Sequence, residues 1–328
     1  MAKISLGIKS VRRLPKLRKL NLLEADKLEV TVLVDNYTDL LLLQNSEVLK
    51  RPGFILPKVL LAEHGLSCLI KVYAGSEEHT VLMDAGILST TLLHNANVLK
   101  IDLNKVESVI LSHGHFDHFG GLLGFLNKGK KGLPLILHPD AFGQRRLNLP
   151  TLGVQVDLPL LDGIALEKAG AVVHKTKDPF KLFSDLILIL GEVDRVTDFE
   201  KGFPGAERKI DGQWVVDPIH DDQGVAIKVK GRGLIVIGGC SHSGIINTIR
   251  HAQKVAKEEK VHAVLGGFHL SGPFFEPIIM PTIEEMKKIS PDFIVPMHCT
   301  GWEAINQFAK EMPKQFLLNT VGTTYVFQ

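Results

Sequence analysis

Apolar residues run along this chain in short blocks that stop at a glycine or an acidic residue, and several blocks are followed by segments with helical spacing. Leu28 to Asp35 (LEVTVLVD) reads as a core strand. Cys68 to Tyr73 and Thr80 to Asp84, with a turn near Gly75-Ser76, read as two strands in hairpin order. Ser108 to Leu111 and Leu135 to Leu137 are further buried strands, while Asp39 to Lys50, Leu88 to Leu99 and Leu122 to Asn127 read as helices. In the last third, strands Gly224 to Val229 and Leu234 to Ile237 precede a helix over Ser243 to Glu258. Ile245, Ile246, Ile249, Ala252, Val255 and Ala256 trace one face of it. A strand Val261 to Leu265, a helix Thr282 to Ile289, a strand Phe293 to Pro296 and a helix Trp302 to Lys310 complete the chain. Strand-rich runs followed by helices, twice over, predict an α/β fold with two sheets between two helix layers.

One stretch interrupts this order. Between about Asp140 and Pro218 there are prolines at 150, 159, 179, 204 and 218, and only Asp185 to Leu190 is marked as a strand. We read it as an inserted cap over the site (about 140–218) within one domain spanning 28–328. Residues 1–27 form a separate basic arm, with Lys3, Lys9, Arg12, Arg13, Lys16, Arg18 and Lys19 and no acid before Glu24. The arm lacks the apolar core of a secretory signal and is expected to be solvated or to dock against a subunit, with contact to lipid or nucleic acid as the alternative. A homodimer is one assembly the chain could form.

Composition narrows the function class. With 328 residues, 45% hydrophobic and 23% charged, the chain can bury a large core. A net charge of +2 and 6% aromatics, without basic stripes, argue against nucleic acid as a partner. No apolar stretch is long enough to span a bilayer. Cys68, Cys240 and Cys299 are odd in number and far apart, which predicts no disulfide framework and a cytoplasmic location.

The candidate chemistry is concentrated in Leu111 to Gly121, where three histidines and an aspartate lie between an apolar strand and a glycine pair. Gly114 allows the tight turn that lets His113 and His115 grip one ion, leaving Asp117 and His118 for a second. Imidazole and carboxylate donors suit zinc, iron or manganese better than calcium or magnesium. Three more strand ends carry polar groups: Gly238 to Gly244 with Cys240 and His242, Gly266 to Leu270 with His269, and Val295 to Gly301 with His298. Leaving apolar strands on the same side, they converge on one cleft. After the strand Asp185 to Leu190, Glu192 could reach a metal or steer a water, and Arg195 could clamp an anionic group; an internal Glu192/Arg195 ion pair is the alternative. Arg145-Arg146 and Arg208-Lys209 are additional anion anchors to consider.

His113-x-His115-x-Asp117-His118 resembles the signature of the metallo-β-lactamase fold superfamily. The resemblance implies a four-layer αββα sandwich binding one or two transition metal ions, zinc first, with iron or manganese as alternatives. It implies His113, His115, Asp117, His118, His242 and His298 as ligands, His298 matching the superfamily's final histidine. Asp84, in a strand-Asp-x-Gly motif, would accept a hydrogen bond from the non-ligating nitrogen of a metal histidine. The chain departs from the pattern at Cys240, where most members carry a bridging aspartate. His242 is therefore favoured over Cys240 as the replacement ligand. The usual downstream Gly-His-x-x-Gly-His motif is also missing, which leaves Glu192 or His269 to fill the position.

Val34-Asp35-Asn36, Glu63 to Ser67, Gly191 to Arg195, Gly239 to Gly244, Gly266 to Leu270 and Met297 to Gly301, together with the histidine loop, resemble one branch. That branch is the dihydropteroate-synthase-related one, whose members are often named β-ribofuranosylaminobenzene 5′-phosphate synthases. The first expectation is a hydrolase in which a metal-activated water attacks a phosphoester or related ester of an anionic, phosphorylated small molecule, with Asp117, Glu192 and Arg195 as catalytic residues. The alternatives are a synthase that transfers a pterin to an aminobenzene ribose phosphate, and a metal-binding protein without catalysis.

Overall fold

The computed structural model describes residues 22–328. Antiparallel strands Lys27–Val34, Ser67–Ala74 and Glu77–Met83 form the middle of an eight-stranded sheet, with Leu28 opposite Val72 and Cys68 opposite Met83. Ser108–Ile110, Leu133–Leu137 and Ala171–Lys175 extend it in parallel on one side; Thr324–Phe327 and Leu49–Lys50 complete the other. A seven-stranded sheet holds Phe180–Leu182, Ile187–Ile189, Val225–Val229, Gly233–Ile237, Val261–Gly267 and Phe293–Met297 in that order, and Glu24–Ala25 pairs with Val225–Val229.

Strand periodicity decides how the sheets stack, because alternate side chains point to opposite faces. Val81, Met83, Ile70 and Val72 of one sheet and Val225, Ile227, Ile235 and Ile237 of the other share a central core. The intervening Leu69 and Leu82 pack outward with Leu92, Leu122 and Phe125 of the helices Ser89–Val98 and Leu122–Lys128. Ala226, Val236 and Val264 face Ile246, Ile249, Ile283 and Phe308 of the helices Ile245–Ala256, Ile279–Ile289 and Trp302–Glu311. Three apolar layers between four layers of structure make an αββα sandwich. The stripe read in Ser243 to Glu258 is the buried face of the first of these last three helices, with Val255 at its edge.

Two readings of local structure change. Asp39 to Lys50 is not a helix. Asp39 Oδ1 accepts the Leu41 amide (2.8 Å) and Asn45 Oδ1 the Arg51 amide (2.6 Å), side-chain bonds that compete with helical pairing. Only Leu49–Lys50 is regular, as an edge strand. Residues 140–218 are more ordered than their prolines suggest. Arg145–Leu149, Val154–Asp157, Ala206–Ile210 and Gln213–Val216 form a four-stranded antiparallel sheet, while Ala171–Lys175, Phe180–Leu182 and Ile187–Ile189 belong to the two large sheets. The basic arm lies outside the described residues up to position 21, and its end joins the sandwich through Glu24–Ala25. Among the described residues no helix is long and apolar enough to cross a membrane.

Both large sheets send their strand ends to the same edge. Met83 leads to Asp84, Ile110 to the histidine loop, Ile237 to Cys240, Gly267 to His269 and Met297 to His298.

Candidate metal centre

Asp84 leaves its strand with φ at 61° and is fully buried. Its Oδ1 accepts the Ser112 amide at 2.7 Å; its Oδ2 accepts the Ser112 hydroxyl at 2.7 Å and lies 2.6 Å from His118 Nδ1. A carboxylate only accepts here, so Nδ1 of His118 carries a proton and Nε2 is the nitrogen turned toward the other donors, free to ligate once an incoming ion displaces its own proton. That Nε2 is 3.1 Å from Cys240 Sγ and 3.1 Å from His298 Nε2. His298 Nε2 is 3.2 Å from the same sulfur and 3.3 Å from Asp117 Oδ2. One donor atom from each of Asp117, His118, Cys240 and His298 lies within 4.8 Å of the others.

A second group, His113, Cys240 and His242, meets the same criterion and shares the sulfur. His115 Nδ1 is 3.1 Å from His242 Nε2. Nε2 of His113 and Nδ1 of His242 are buried with no hydrogen-bond partner, an arrangement that costs free energy unless something accepts their lone pairs or protons. The loop is held from below: Asp221 Oδ2 accepts the Gly114 amide at 2.7 Å, and a Cβ at Gly114 would sit 2.2 Å from the Ala141 carbonyl oxygen, so only glycine fits. His298 is fixed through its backbone, its amide donating to Asp35 Oδ1 (2.7 Å) and its carbonyl accepting from Asn36 Nδ2 (2.8 Å).

Charge separates the imidazoles. Burial and the adjacent rings hold His113 and His242 far below the usual histidine range, and burial with Arg145 nearby lowers His115 to about 4. These three are neutral at physiological pH, the state in which imidazole ligates. Burial alone would lower His118, but Asp117 and Asp84 outweigh it and raise it to about 9. Burial would raise Asp117, but His118 and His298 outweigh it and hold the carboxyl well below its usual range.

The centre is the floor of a cavity of about 420 Å³, with Phe116, Leu158 and Phe203 on its walls and Arg145 and Arg146 arriving from the four-stranded sheet. Arg145 is committed to Asp217 and Asp221, and Arg146 to Glu207. Arg208 pairs with Asp140. His269 lines the cavity, its ring 4.1 Å from that of His242.

Glu192 and Arg195 are not brought to the cavity. Glu192 Oε1 lies 3.1 Å from His220 Nδ1, and Arg195 donates to the Pro218 carbonyl. The loop that carries them turns toward the helix Ile245–Ala256, where Asn247 Oδ1 accepts the Val196 and Thr197 amides at 2.8 and 2.9 Å. In their place the structure supplies His64 and Cys299. His64 is half-exposed at the mouth, its Nε2 3.8 Å from Asp117 Oδ2. Sequence reasoning passed over it because it precedes a strand, whereas the other donors follow one. Cys299 was visible only as the neighbour of His298.

A family model described as the metallo-beta-lactamase superfamily matches residues 64–253. The chain belongs to the metallo-beta-lactamase superfamily. Among curated proteins, it is 34% identical over 258 residues to a 7,8-dihydropterin-6-methyl-4-(β-D-ribofuranosyl)-aminobenzene-5′-phosphate synthase of Methanocaldococcus jannaschii, covering 78% of this chain and 87% of that one. It is 32% identical over 254 residues to an uncharacterized protein of the same organism, covering 77% and 90%. A crystal structure described as a metal-dependent hydrolase of the β-lactamase superfamily superposes with a TM-score of 0.69 at 24% identity, covering 92% of this chain and 98% of that one. The superfamily typically holds metal ions, and the converging nitrogen, sulfur and oxygen donors, with two orphaned ring nitrogens, fit them.

Proposed function

We propose that this superfamily member is a metal-dependent hydrolase of a phosphoester or related ester, acting on a small anionic molecule in the 420 Å³ cavity. The observation that carries this reading is the meeting of His118 Nε2, Cys240 Sγ and His298 Nε2 at 3.1 to 3.2 Å on the cavity floor. The ligands in this reading are Asp117, His118, Cys240 and His298 for one ion and His113, His115 and His242 for a second, zinc being the first choice. Cys240 joins the set beside His242 rather than yielding to it, because its sulfur belongs to both groups.

A bound transition metal supplies a water of lowered pKa and polarises an ester or phosphoryl oxygen. The chain's own residues do the rest. Asp84 keeps the proton of His118 on Nδ1. Asp35 and Asn36 hold the His298 backbone, and Asp221 holds that of Gly114. Phe116, Leu158 and Phe203 exclude water around the body of the substrate and favour an apolar or aromatic one. His64 holds a proton at Nε2 near the mouth, within reach of a departing group.

A second reading, a synthase joining a pterin to an aminobenzene ribose phosphate, is supported by the 34% identical relative of that name. Elemental analysis of protein purified without added metal, with turnover of bis(p-nitrophenyl) phosphate and of a pterin diphosphate with an aminobenzene ribose phosphate, tests both. Metal with ester hydrolysis is the expected result. Turnover of the pterin pair alone would replace the hydrolase with the synthase, and metal without either activity would leave a binding protein.

A further inference from the structure

Three neighbouring parallel strands, Gly233–Ile237, Val261–Gly267 and Phe293–Met297, each deliver one soft or borderline donor just past their ends: Cys240, His269 and Cys299. The middle strand ends in a glycine, and this lets its two neighbours approach each other. A Cβ at Gly267 would lie 2.7 Å from Cys299 Sγ and 3.3 Å from Cys240 Cα. Over that gap Cys299 Sγ comes within 3.5 Å of the Cys240 carbonyl oxygen. One donor atom from each of Cys240, His269 and Cys299 lies within 4.8 Å of the other two.

His269 is held toward this point at some cost. Its backbone sits at φ 47°, a region that residues with side chains seldom occupy, and Phe203 and Phe275 pack edge-on against its ring with centroids 4.9 and 4.5 Å away. Nδ1 of this fixed ring is buried without a hydrogen-bond partner. Both cysteines are buried, yet Cys240, Cys299 and His269 all line the cavity, so a hydrated ion entering it reaches them.

We propose that Cys240, His269 and Cys299 form a distinct site for a thiophilic divalent cation such as zinc, with two thiolates and one imidazole, sharing the Cys240 sulfur with the His118–His298 centre. Soft sulfur donors select zinc over harder ions, and any proton held by either sulfur leaves to solvent as the ion binds. The site adjoins the centre on which the hydrolase reading rests, but it requires no turnover. Its ligands His269 and Cys299 lie outside the donor set assigned to that centre.

The test uses the full chain, reduced and metal-free, titrated with cobalt(II) and followed by the near-ultraviolet sulfur-to-cobalt charge-transfer band, with zinc content measured in parallel. In Cys299→Ser, a near-isosteric change, the band should fall to on the order of half and bound zinc should drop. His269→Ala should weaken the same cation by about tenfold or more. His298→Ala should keep the part of the band that depends on Cys299. A Cys299→Ser protein with the wild-type band and zinc content overturns the proposal and leaves the hydrolase reading standing. A band that depends on Cys299 in a protein without ester turnover upholds the site while the hydrolase reading fails. A Cys240–Cys299 disulfide in protein kept under reductant, seen as two hydrogens missing from the intact mass, also overturns it.

Discussion

Oδ2 of Asp84 stands 2.6 Å from Nδ1 of His118, and both side chains are completely buried. The same carboxylate receives the amide and hydroxyl of Ser112, so one residue orients the ring and anchors the start of its loop. In Asp84→Asn the side chain keeps its shape but presents an amide where a strong acceptor stood. We expect metal affinity, measured by chelator competition, to fall by about 10- to 100-fold with secondary structure intact. An unchanged affinity would show that the His118 tautomer is fixed some other way.

Arg145 reaches from the four-stranded sheet to the histidine loop. Its Nε donates to Asp217 Oδ2 at 2.7 Å and its Nη1 to Asp221 Oδ2 at 3.0 Å, and Asp221 in turn accepts the Gly114 amide. All three side chains are buried. Arg145→Met strands two carboxylates away from water and should cost about 3–5 kcal/mol, read as a lowered urea midpoint. Arg145→Lys should recover only part of this, since an ammonium cannot bridge both carboxylates as a planar fork does. Full stability in the methionine variant would mean that water enters the site.

The central strands of the large sheets were legible where they read as apolar runs, Leu234 to Ile237 being the plainest, whereas the partly exposed strands Ala171–Lys175, Phe180–Leu182 and Thr324–Phe327 were not. The donors were legible where each follows such a run, as His118, His242 and His298 do. The four-stranded sheet was not. Its strands RRLNL, VQVD and AERKI bury little, so their pattern is that of a loop, and the pairing of RRLNL with AERKI that joins its two hairpins connects residues some sixty apart. Leucine content misled at Asp39 to Lys50, where Leu40, Leu41 and Leu43 remain largely exposed. The place of Cys240 among three groups of candidate donors depends on the strand order, which spacing alone does not give.

Glu192 and Arg195 follow a buried strand but do not line the cavity. Glu192 lies beside His220 and is about as exposed as that residue, and the Arg195 guanidinium is spent on the Pro218 carbonyl. Glu192→Gln and Arg195→Ala should therefore leave metal content unchanged and ester turnover within about twofold of the parent, as for changes away from a site. A loss of kcat by orders of magnitude in either variant, with metal retained, would require the loop to close over the cavity.

Glu200 gives the fold a pH dependence of its own. The helix Ile245–Ala256 begins after Gly244, which has no side chain to cap it, and Glu200 substitutes from a distant loop. Its Oε1 accepts the Ile246 amide and its Oε2 the Asn247 amide, both at 2.9 Å, with the Thr197 hydroxyl also at 2.9 Å. Burial outweighs these bonds and raises the carboxyl from 4.5 to about 7. Between those two values the folded chain keeps a proton that the unfolded chain has lost, so stability falls as pH rises through the window and is level above it. The full effect is on the order of 3 kcal/mol. Glu200→Gln cannot ionise, so the stability of the parent relative to this variant should decline from about pH 4.5 to about pH 7.5 in urea unfolding. A difference that stays constant across that range would mean that the native carboxyl titrates as it does in the unfolded chain, its bonds to the helix start offsetting its burial.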